Sequence, residues 1–272
     1  METIRKPAVA GMFYPDDKNV LERQINTLLA NYKPDEEFKN INGIVSPHAG
    51  YVYSGRTAAF AYNTISGKNY KTVVVISPSH REYFAGTSIY NGDAYETPLG
   101  IVKVDKEMRK KLVDGSKTIF PGIEGHKQEH ALEVQVPFLQ TVLKDFLIVP
   151  IVIGDQSKIF VDELAYKLAE VTDEKSLIVA SSDLSHFYSR EKAEILDSRV
   201  EQHINDFDYE GLQTDLERKA CEACGGGGIV SMMEALKLKN YAHAKVLNRT
   251  DSGDVTGDTS EVVGYLSAIV YN

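Results

Sequence analysis

Short apolar runs and longer amphipathic segments alternate along the chain. Four short runs consist mainly of apolar, largely β-branched residues: 43–46, 72–77, 146–153 and 177–180. Such runs are typical of strands that are buried on both faces of a sheet. The segments around them carry apolar residues every three or four positions, which predicts helices. The predicted helices are 19–30, 56–64, 130–143, 160–171, 191–205 and 229–238.

This alternation indicates an α/β fold, because parallel strands are joined by right-handed helical crossovers. We predict a mixed, mainly parallel central sheet with helices on both faces. A last apolar run, 261–270, is interpreted as a strand that closes one edge of the sheet. The sequence contains no internal repeat and no linker rich in Pro, Gly or Ser, so we predict a single domain over residues 1–272.

Composition and charge narrow the class of protein. The 43% apolar and 25% charged residues are ordinary for a globular protein. The formal charge of −9 argues against nucleic acid and against anionic membranes as partners. No apolar run is long enough to span a membrane, and the N-terminus lacks the apolar core of a signal peptide. With only two cysteines, we expect a cytoplasmic location.

Histidines follow three of the predicted strands at the point where each strand ends. They are His48 after Ser46-Pro47, His80 after Ser77-Pro78-Ser79, and His186 at the end of the run that starts at Ser181. In open α/β sheets the ligand-binding crevice lies beyond the carboxyl ends of the strands, so these imidazoles should share one cleft. Histidine is the commonest metal ligand and a natural general base, and Asp183 could orient an imidazole. A structural role for one or two of them is the alternative.

Cys224 is a softer candidate ligand. It precedes four glycines and the predicted helix 229–238. A helix N-terminus favours the thiolate, and thiolates bind iron, copper and zinc. The alternative is a buried structural cysteine. A redox pair with Cys221 is disfavoured, because the C-x-x-C does not follow a strand that opens a thioredoxin-like unit.

The stretch from His126 to His130 matches the H-x-x-E-H pattern of one class of zinc peptidases. That chemistry needs both histidines on one helical face. Here a Pro-Gly turn comes shortly before the stretch and Pro137 soon after it. We therefore interpret Glu129, His130 and Glu133 as residues at the edge of the cleft and not as a peptidase site.

Taken in order, these motifs resemble the Memo family, called AmmeMemoRadiSam system protein B in microbes. The matching motifs are Arg5–Pro15, Ser46–Tyr51, Ser77–His80, Glu129–Glu133, Ser182–His186, Cys224, Ser252–Asp258 and Val263–Tyr265. The resemblance spans almost the whole chain. It implies a fold similar to that of class III extradiol dioxygenases, whose non-haem iron lies at the carboxyl edge of the sheet.

The resemblance also implies a metal site built from His48, His80 and Cys224, with iron or copper as the metal and zinc as a further option. Asp183 and His186 match positions for a base or for residues that orient ligands. Together with His130 and Glu133, they are the candidate catalytic residues. The dioxygenases use two histidines and one carboxylate, so a cysteine in the carboxylate position favours copper or redox-active iron.

Three functions are therefore carried forward. The first is a metal-binding redox protein that works with an AMMECR1-like protein and a radical SAM protein, partners implied by the family resemblance. The second is a non-catalytic interaction protein whose pocket holds a peptide or a small ligand. The third is a dioxygenase of the extradiol type.

Overall fold

The computed structural model describes residues 2–272, and over this range it contains twelve strands and nine helices. The strands are β1 (Ile4–Arg5), β2 (Gly43–Ser46), β3 (Thr72–Pro78), β4 (Thr87–Tyr90), β5 (Ala94–Thr97), β6 (Gly100–Lys103), β7 (Ile119–Gly122), β8 (Leu147–Ile153), β9 (Ser176–Ser181), β10 (His186–Tyr188), β11 (His243–Asp251) and β12 (Val262–Tyr271). The helices are α1 (Lys18–Asn31), α2 (Tyr51–Thr64), α3 (Lys106–Val113), α4 (Gln135–Val142), α5 (Lys158–Val171), α6 (Arg190–Asn205), α7 (Tyr209–Glu217), α8 (Gly226–Leu238) and α9 (Gly253–Thr256). No helix in this range combines the length and apolar content that a bilayer crossing requires.

The large sheet has a parallel centre and antiparallel flanks. Strands β2, β9, β3 and β8 lie side by side in parallel. Antiparallel pairing begins at β12, beside β2, and at β4, beside β8. Strand β7 extends the sheet past β4, while β10 and β11 pair with β12. The predicted mixed α/β fold is confirmed, with the parallel pairing concentrated in the four central strands. One domain over residues 1–272 stays a prediction.

Successive residues of the central strands face opposite sides of the sheet. In β3, Val73 and Val75 belong to the apolar cluster that includes α1, α2 and α4. Val74 and Ile76 belong to the cluster that includes α5 and α8. Helices therefore cover both faces, as predicted, and neither face needs polar side chains. This double burial explains why the strand runs show no alternation of apolar and polar residues.

Run 261–270 is a strand, as predicted, but it does not close an edge. Ala268 of β12 pairs with Val45 of β2 on one side and with Val246 of β11 on the other. Strand β11 escaped the sequence analysis because it is mixed in character and mostly half-buried. Polar and charged side chains are usual in a strand at a sheet edge, where they prevent pairing with other chains.

Two helix starts differ from the sequence prediction by five residues because tertiary contacts set them. Helix α2 begins at Tyr51, five residues earlier than predicted, where the Tyr51 N–H donates to the carbonyl of Phe13 at 2.8 Å. Helix α4 begins at Gln135, five residues later than predicted. The residues before it, from His130 to Val134, form turns that lie against the N-terminal segment. Neither contact is visible in the local periodicity.

Asp197 of α6 is a carboxylic acid in the interior, 2% exposed. Its Oδ1 accepts a hydrogen bond of 3.1 Å from the backbone N–H of Ser185. A Cβ at Gly264 would lie 1.9 Å from its Oδ2, so a glycine is needed there to leave room for the carboxyl group. Burial raises the pKa of Asp197 to about 6, although hydrogen bonds from Ser185 and the charge of Arg249 act in the opposite direction.

This raised pKa predicts a pH-dependent stability. In the unfolded chain an aspartate ionises near pH 4, whereas Asp197 in the native state ionises only near pH 6. The ionised carboxylate is therefore more stable in the unfolded chain, and its ionisation disfavours the native state. The contribution of Asp197 to stability is full below about pH 4 and is lost as the pH rises through about 6. Asp197→Asn retains an oxygen for the Ser185 N–H and does not ionise. The difference in free energy of unfolding between Asp197→Asn and the wild type should therefore increase in favour of the variant by about 2–3 kcal/mol from pH 4 to pH 8.

Urea denaturation at several pH values measures this difference. The exposed Asp35→Asn variant serves as the control for the change in net charge. A difference between Asp197→Asn and the wild type that stays constant from pH 4 to pH 8 would contradict the prediction.

Candidate metal centre

The sheet topology brings two of the predicted ligands to the same edge. His48 follows β2 and His80 follows β3, and these parallel strands are separated only by β9. Strand β9 ends at Ser181 and leads to Asp183 at the same edge. The carboxyl ends of parallel strands are the usual place for a ligand site in an α/β fold. The sequence argument that placed the histidines in one cleft rested on this property.

His48, His80 and Cys224 converge. Each of the three offers a ligand atom that lies within 4.8 Å of the other two. Cys224 Sγ is 3.1 Å from His48 Nε2, and the ring centroids of His48 and His80 are 5.1 Å apart. His48 is buried, Cys224 is partly buried and His80 is exposed at the rim. The predicted convergence is thus present, and the cluster is open to solvent on the His80 side.

Glycines allow Cys224 to reach the sheet. A Cβ at Gly225 would lie 2.1 Å from the Ser181 carbonyl oxygen, at the end of β9. With glycine there, the backbone N–H of Cys224 donates to the Asp183 carbonyl at 3.1 Å. The Asp183 N–H in turn donates to Cys224 Sγ at 3.3 Å. The four-glycine run therefore serves close packing of α8 and its preceding loop against the strand ends.

The protein contacts the Nδ1 atom of both candidate histidine ligands. His48 Nδ1 lies 3.0 Å from Ser181 Oγ, and the His48 backbone N–H donates to Asp183 Oδ1 at 2.7 Å. His80 Nδ1 lies 2.8 Å from Glu129 Oε1, and the His80 backbone N–H donates to Glu129 Oε2 at 2.7 Å. Each ring is therefore fixed through Nδ1, which leaves Nε2 for a metal. Partners of this kind are typical of metal-ligating histidines.

The other predicted site residues lie around the cluster at different places. The ring of His130 is 5.4 Å from that of His48 and 4.7 Å from that of His80, so His130 is the third packed imidazole. Asp183 Oδ2 is 3.9 Å from His48 Nε2. His186 lies with Cys224 on the wall of an adjoining cleft of about 570 Å³. His186 thus belongs to the surroundings of the cluster and not to the group of three packed rings.

Glu133 does not lie at the edge of the cleft, where the sequence analysis placed it. It is fully buried, and its carboxylate forms an ion pair with Arg5. It also accepts hydrogen bonds from the backbone N–H groups of Ala8 and Val9 at 2.8 and 3.0 Å, and from the Tyr14 hydroxyl at 2.6 Å. With every oxygen engaged by the N-terminal segment, Glu133 is a structural anchor. The sequence placed it at the site because it follows His130 closely.

The H-x-x-E-H stretch is not helical in the structure. His126 is buried, with Nδ1 2.8 Å from the Tyr95 hydroxyl and Nε2 3.3 Å from the Ser88 carbonyl. It therefore lies among core residues, and only His130 of the two histidines reaches the cluster. This arrangement agrees with the interpretation that the stretch is not a peptidase site.

Burial keeps the imidazoles of His48 and His130 neutral. It lowers the pKa of His48 to about 3, with a smaller contribution from the nearby His80. Burial, followed by the proximity of His48, lowers the pKa of His130 to about 4. For Glu129, burial acts against ionisation, but the hydrogen bonds from His80 and Ala131 outweigh it and lower the pKa to about 2. Neutral imidazoles have the free lone pairs that metal binding requires.

The state of Cys224 differs from the sequence expectation. Burial, with a further contribution from the Asp183 carboxyl group, raises the pKa of the Cys224 thiol well above its usual value. The expectation that the glycine loop and the helix start favour the thiolate is therefore wrong for the protein alone. A coordinated thiol loses its proton because the cation supplies the missing positive charge. Two imidazoles and one thiol form a donor set that suits iron, copper or zinc.

Two polar residues behind the cluster were not identified from the sequence. Ser181 contacts His48, and Gln135 is 1% exposed and donates to Ser181 Oγ at 2.8 Å. Ser181 lies one residue beyond the predicted strand 177–180. Gln135 could have been noticed because it is an uncharged polar residue at an apolar position of the predicted helix 130–143, which indicates a buried hydrogen-bonding role.

The fold and the cluster define an α/β protein with a His-His-Cys group at the carboxyl edge of a mixed sheet. A family model described as Memo-like protein matches residues 5–269. The chain therefore belongs to the Memo family, as the sequence resemblance predicted.

Curated relatives agree with this assignment, and a solved structure shares the fold. A MEMO1 family protein of Nitrosopumilus maritimus is 40% identical, and the alignment covers 96% of this chain and 98% of that protein. A MEMO1 family protein of Thermoplasma volcanium is 38% identical, with 98% of both chains covered. The crystal structure of an uncharacterized Escherichia coli K12 protein matches with a TM-score of 0.52 at 15% identity, covering 85% of this chain and 99% of that one. The last likeness concerns the fold alone.

The position of Glu133 predicts a large effect on stability. Glu133→Gln leaves the buried Arg5 guanidinium without its counter-charge, and breaking a buried ion pair costs about 3–5 kcal/mol. Tyr14→Phe removes one of several hydrogen bonds to the same carboxylate and should cost less, about 1.5–3 kcal/mol. Urea denaturation of the two variants and the wild type measures both values. Unchanged stability of Glu133→Gln, together with altered metal binding, would return Glu133 to the site.

Proposed function

We propose that this protein holds an iron or copper ion with His48, His80 and Cys224 and uses it in redox chemistry. The convergence of these three side chains carries the proposal, since their ligand atoms all lie within 4.8 Å of one another. They come from the loops after two different strands and from the loop before α8. Polar groups that are far apart in sequence, meeting at the usual ligand edge of an α/β sheet, indicate a binding site.

The donor set supports the choice of metal. Thiolate and imidazole together suit copper, iron and zinc, whereas magnesium and calcium prefer oxygen ligands. When bound, iron or copper supplies a change of oxidation state next to a thiolate ligand. Zinc binds the same donors but supplies no redox chemistry. The metal identity is therefore the part of the proposal that a measurement must decide first.

The residues around the cluster have separate tasks in this proposal. His48 and His80 offer the lone pairs of Nε2, and Cys224 gives up its thiol proton on binding. Asp183, whose pKa burial raises, lies 3.9 Å from His48 Nε2 and can hold a proton beside the cluster. His130 faces His48 and His80 from the other wall. His186 and Cys224 both line the adjoining cleft, and a small ligand can approach the cluster through this cleft.

The family resemblance adds an AMMECR1-like protein and a radical SAM protein as proposed partners. Copurification of the three proteins under anaerobic conditions tests this part separately. Failure to associate would leave the metal site unaffected, because its ligands all belong to this chain.

Metal titration tests the proposed ligands. Anaerobic titration of metal-free protein with Fe²⁺ or Cu⁺ should give one ion per chain. Cys224→Ser and His48→Gln should each weaken binding by at least about 100-fold, since loss of a partner of a metal ligand already costs 10–100-fold. A sulfur-to-metal charge-transfer band of the Cu²⁺-loaded or oxidised iron-loaded protein should disappear in Cys224→Ser.

Cys221→Ser is the matched control, because Cys221 is the second free cysteine of the chain, three residues from Cys224, and lies outside the converging group. It should retain the stoichiometry, the affinity and the absorption band. Unchanged affinity of Cys224→Ser would remove that residue from the ligand set. Cleavage of catechols by the iron-loaded wild type would favour the dioxygenase alternative over the redox role.

A further inference from the structure

We infer that Glu129 and Ser181 are positioning residues that fix the tautomers of His80 and His48. Each keeps a proton on Nδ1, so that Nε2 of both rings faces the Cys224 side as a bare lone pair. This inference rests on the proposed function for its meaning, since the two tautomers are those that a metal bound at Nε2 requires. Its basis is the direction of each hydrogen bond behind the cluster.

The direction of the bond to His80 follows from the donors around Glu129. Glu129 Oε1 accepts from the Ala131 backbone N–H at 2.9 Å, and Oε2 accepts from the His80 backbone N–H at 2.7 Å. The carboxyl group is 1% exposed. A carboxylate that accepts backbone N–H bonds is held in its ionised form and has no proton to donate. The 2.8 Å contact with His80 Nδ1 therefore requires the proton to be on Nδ1.

The direction of the bond to His48 follows from the single proton of the Ser181 hydroxyl. Ser181 Oγ lies 2.7 Å from the Ala131 carbonyl, which can only accept, so the hydroxyl proton goes there. Gln135 Nε2 donates to the Pro47 carbonyl at 3.0 Å and to Ser181 Oγ at 2.8 Å. Ser181 Oγ then has one lone pair left for His48 Nδ1, at 3.0 Å. The proton of that bond belongs to His48 Nδ1.

The hydrogen bonds that orient the two rings both originate in the segment 129–135. Glu129 contacts His80 directly, while the Ala131 carbonyl and the Gln135 side chain act on His48 through Ser181. Arg5 holds the segment from behind, because its Nη2 donates to the Glu129 carbonyl at 2.7 Å and its Nη1 pairs with Glu133. The segment 129–135 thus aims both rings at one point, although it contributes none of the three proposed ligands.

The tautomers can be observed directly in metal-free protein. Histidine selectively labelled with ¹⁵N distinguishes the two tautomers through long-range ¹H–¹⁵N correlations, since a protonated and a bare ring nitrogen differ widely in chemical shift. We expect the Nδ1–H form for both His48 and His80 in the wild type. The Nε2–H form for either ring in the wild type would overturn the inference for that ring, without any variant being needed.

Two variants should act on one ring each. Glu129→Ala should release His80 from the Nδ1–H form and leave His48 unchanged, whereas Ser181→Ala should do the reverse. A residue with only a structural role would disturb both rings or neither. Each variant should lower metal affinity about 10–100-fold while the stoichiometry stays at one ion per chain.

Matched controls separate these effects from general destabilisation. Ser176→Ala removes a buried hydroxyl at the opposite end of β9 from Ser181, where it donates to Asp173 Oδ1 at 2.8 Å. Glu163→Ala removes a carboxylate of α5 that accepts hydrogen bonds from the hydroxyls of Ser116 and Thr118 and contacts neither His48 nor His80. Both should keep the wild-type tautomers and affinity.

Should metal fail to bind while the tautomers are as expected, the proposed function falls and the positioning role stands. Should metal bind with unaltered affinity in Glu129→Ala and Ser181→Ala, the positioning role falls.

Discussion

The buried contact between Arg5 and the segment 129–135 is the constraint on which the candidate site depends. The Arg5 guanidinium pairs with Glu133 and donates to the carbonyls of His126 and Glu129 at 3.1 and 2.7 Å. A buried ion pair is stable only if the remaining donors and acceptors are also satisfied. This condition is met for Glu133, because its carboxylate also accepts hydrogen bonds from Ala8, Val9 and Tyr14 of the N-terminal segment. The N-terminus and the segment 129–135 therefore hold each other in place.

The site divides the work between backbone and side chains. The parallel strands fix where His48 and His80 emerge, because β2 and β3 end at the same edge. They do not fix how the rings are turned. Rotation and proton position are determined by Glu129 and Ser181, which contact Nδ1 of each ring. Position thus comes from the sheet, and orientation comes from an irregular segment that the sheet does not contain.

The sequence was informative where one physical effect dominates. The all-apolar runs predicted β3, β8 and β9 nearly to the residue, because burial on both faces leaves no other composition. The histidines at strand ends predicted the site for a topological reason that is independent of their neighbours. The local pattern offered Cys224 as a candidate ligand with a structural cysteine as the alternative, and the family resemblance selected it as the proposed third ligand.

The sequence was misleading where several effects compete. The role of Glu133 depends on Arg5, 128 residues away, and no local pattern indicates that pairing. The charge state of Cys224 is a balance between a helix start, which favours the thiolate, and burial beside Asp183, which disfavours it and prevails. The start of α4 was misplaced because the apolar periodicity continues through the turns before Gln135, whose backbone is set by the contacts of Glu129 and Glu133. Each of these errors concerns a long-range contact or a small difference between opposing terms.

The distance along the chain between the ligands has a consequence for protein synthesis. Cys224 and His48 are separated by 176 residues, so at 5–20 residues per second the ribosome adds the proposed sulfur ligand about 9–35 s after the first proposed histidine ligand. Strand β12, which borders β2, is made later still. A nascent or truncated chain can offer imidazoles but not the complete donor set. Under the proposed function, a chain would bind the metal with all three donors only after translation has passed α8. A chain truncated before Cys224 would not retain a reactive ion.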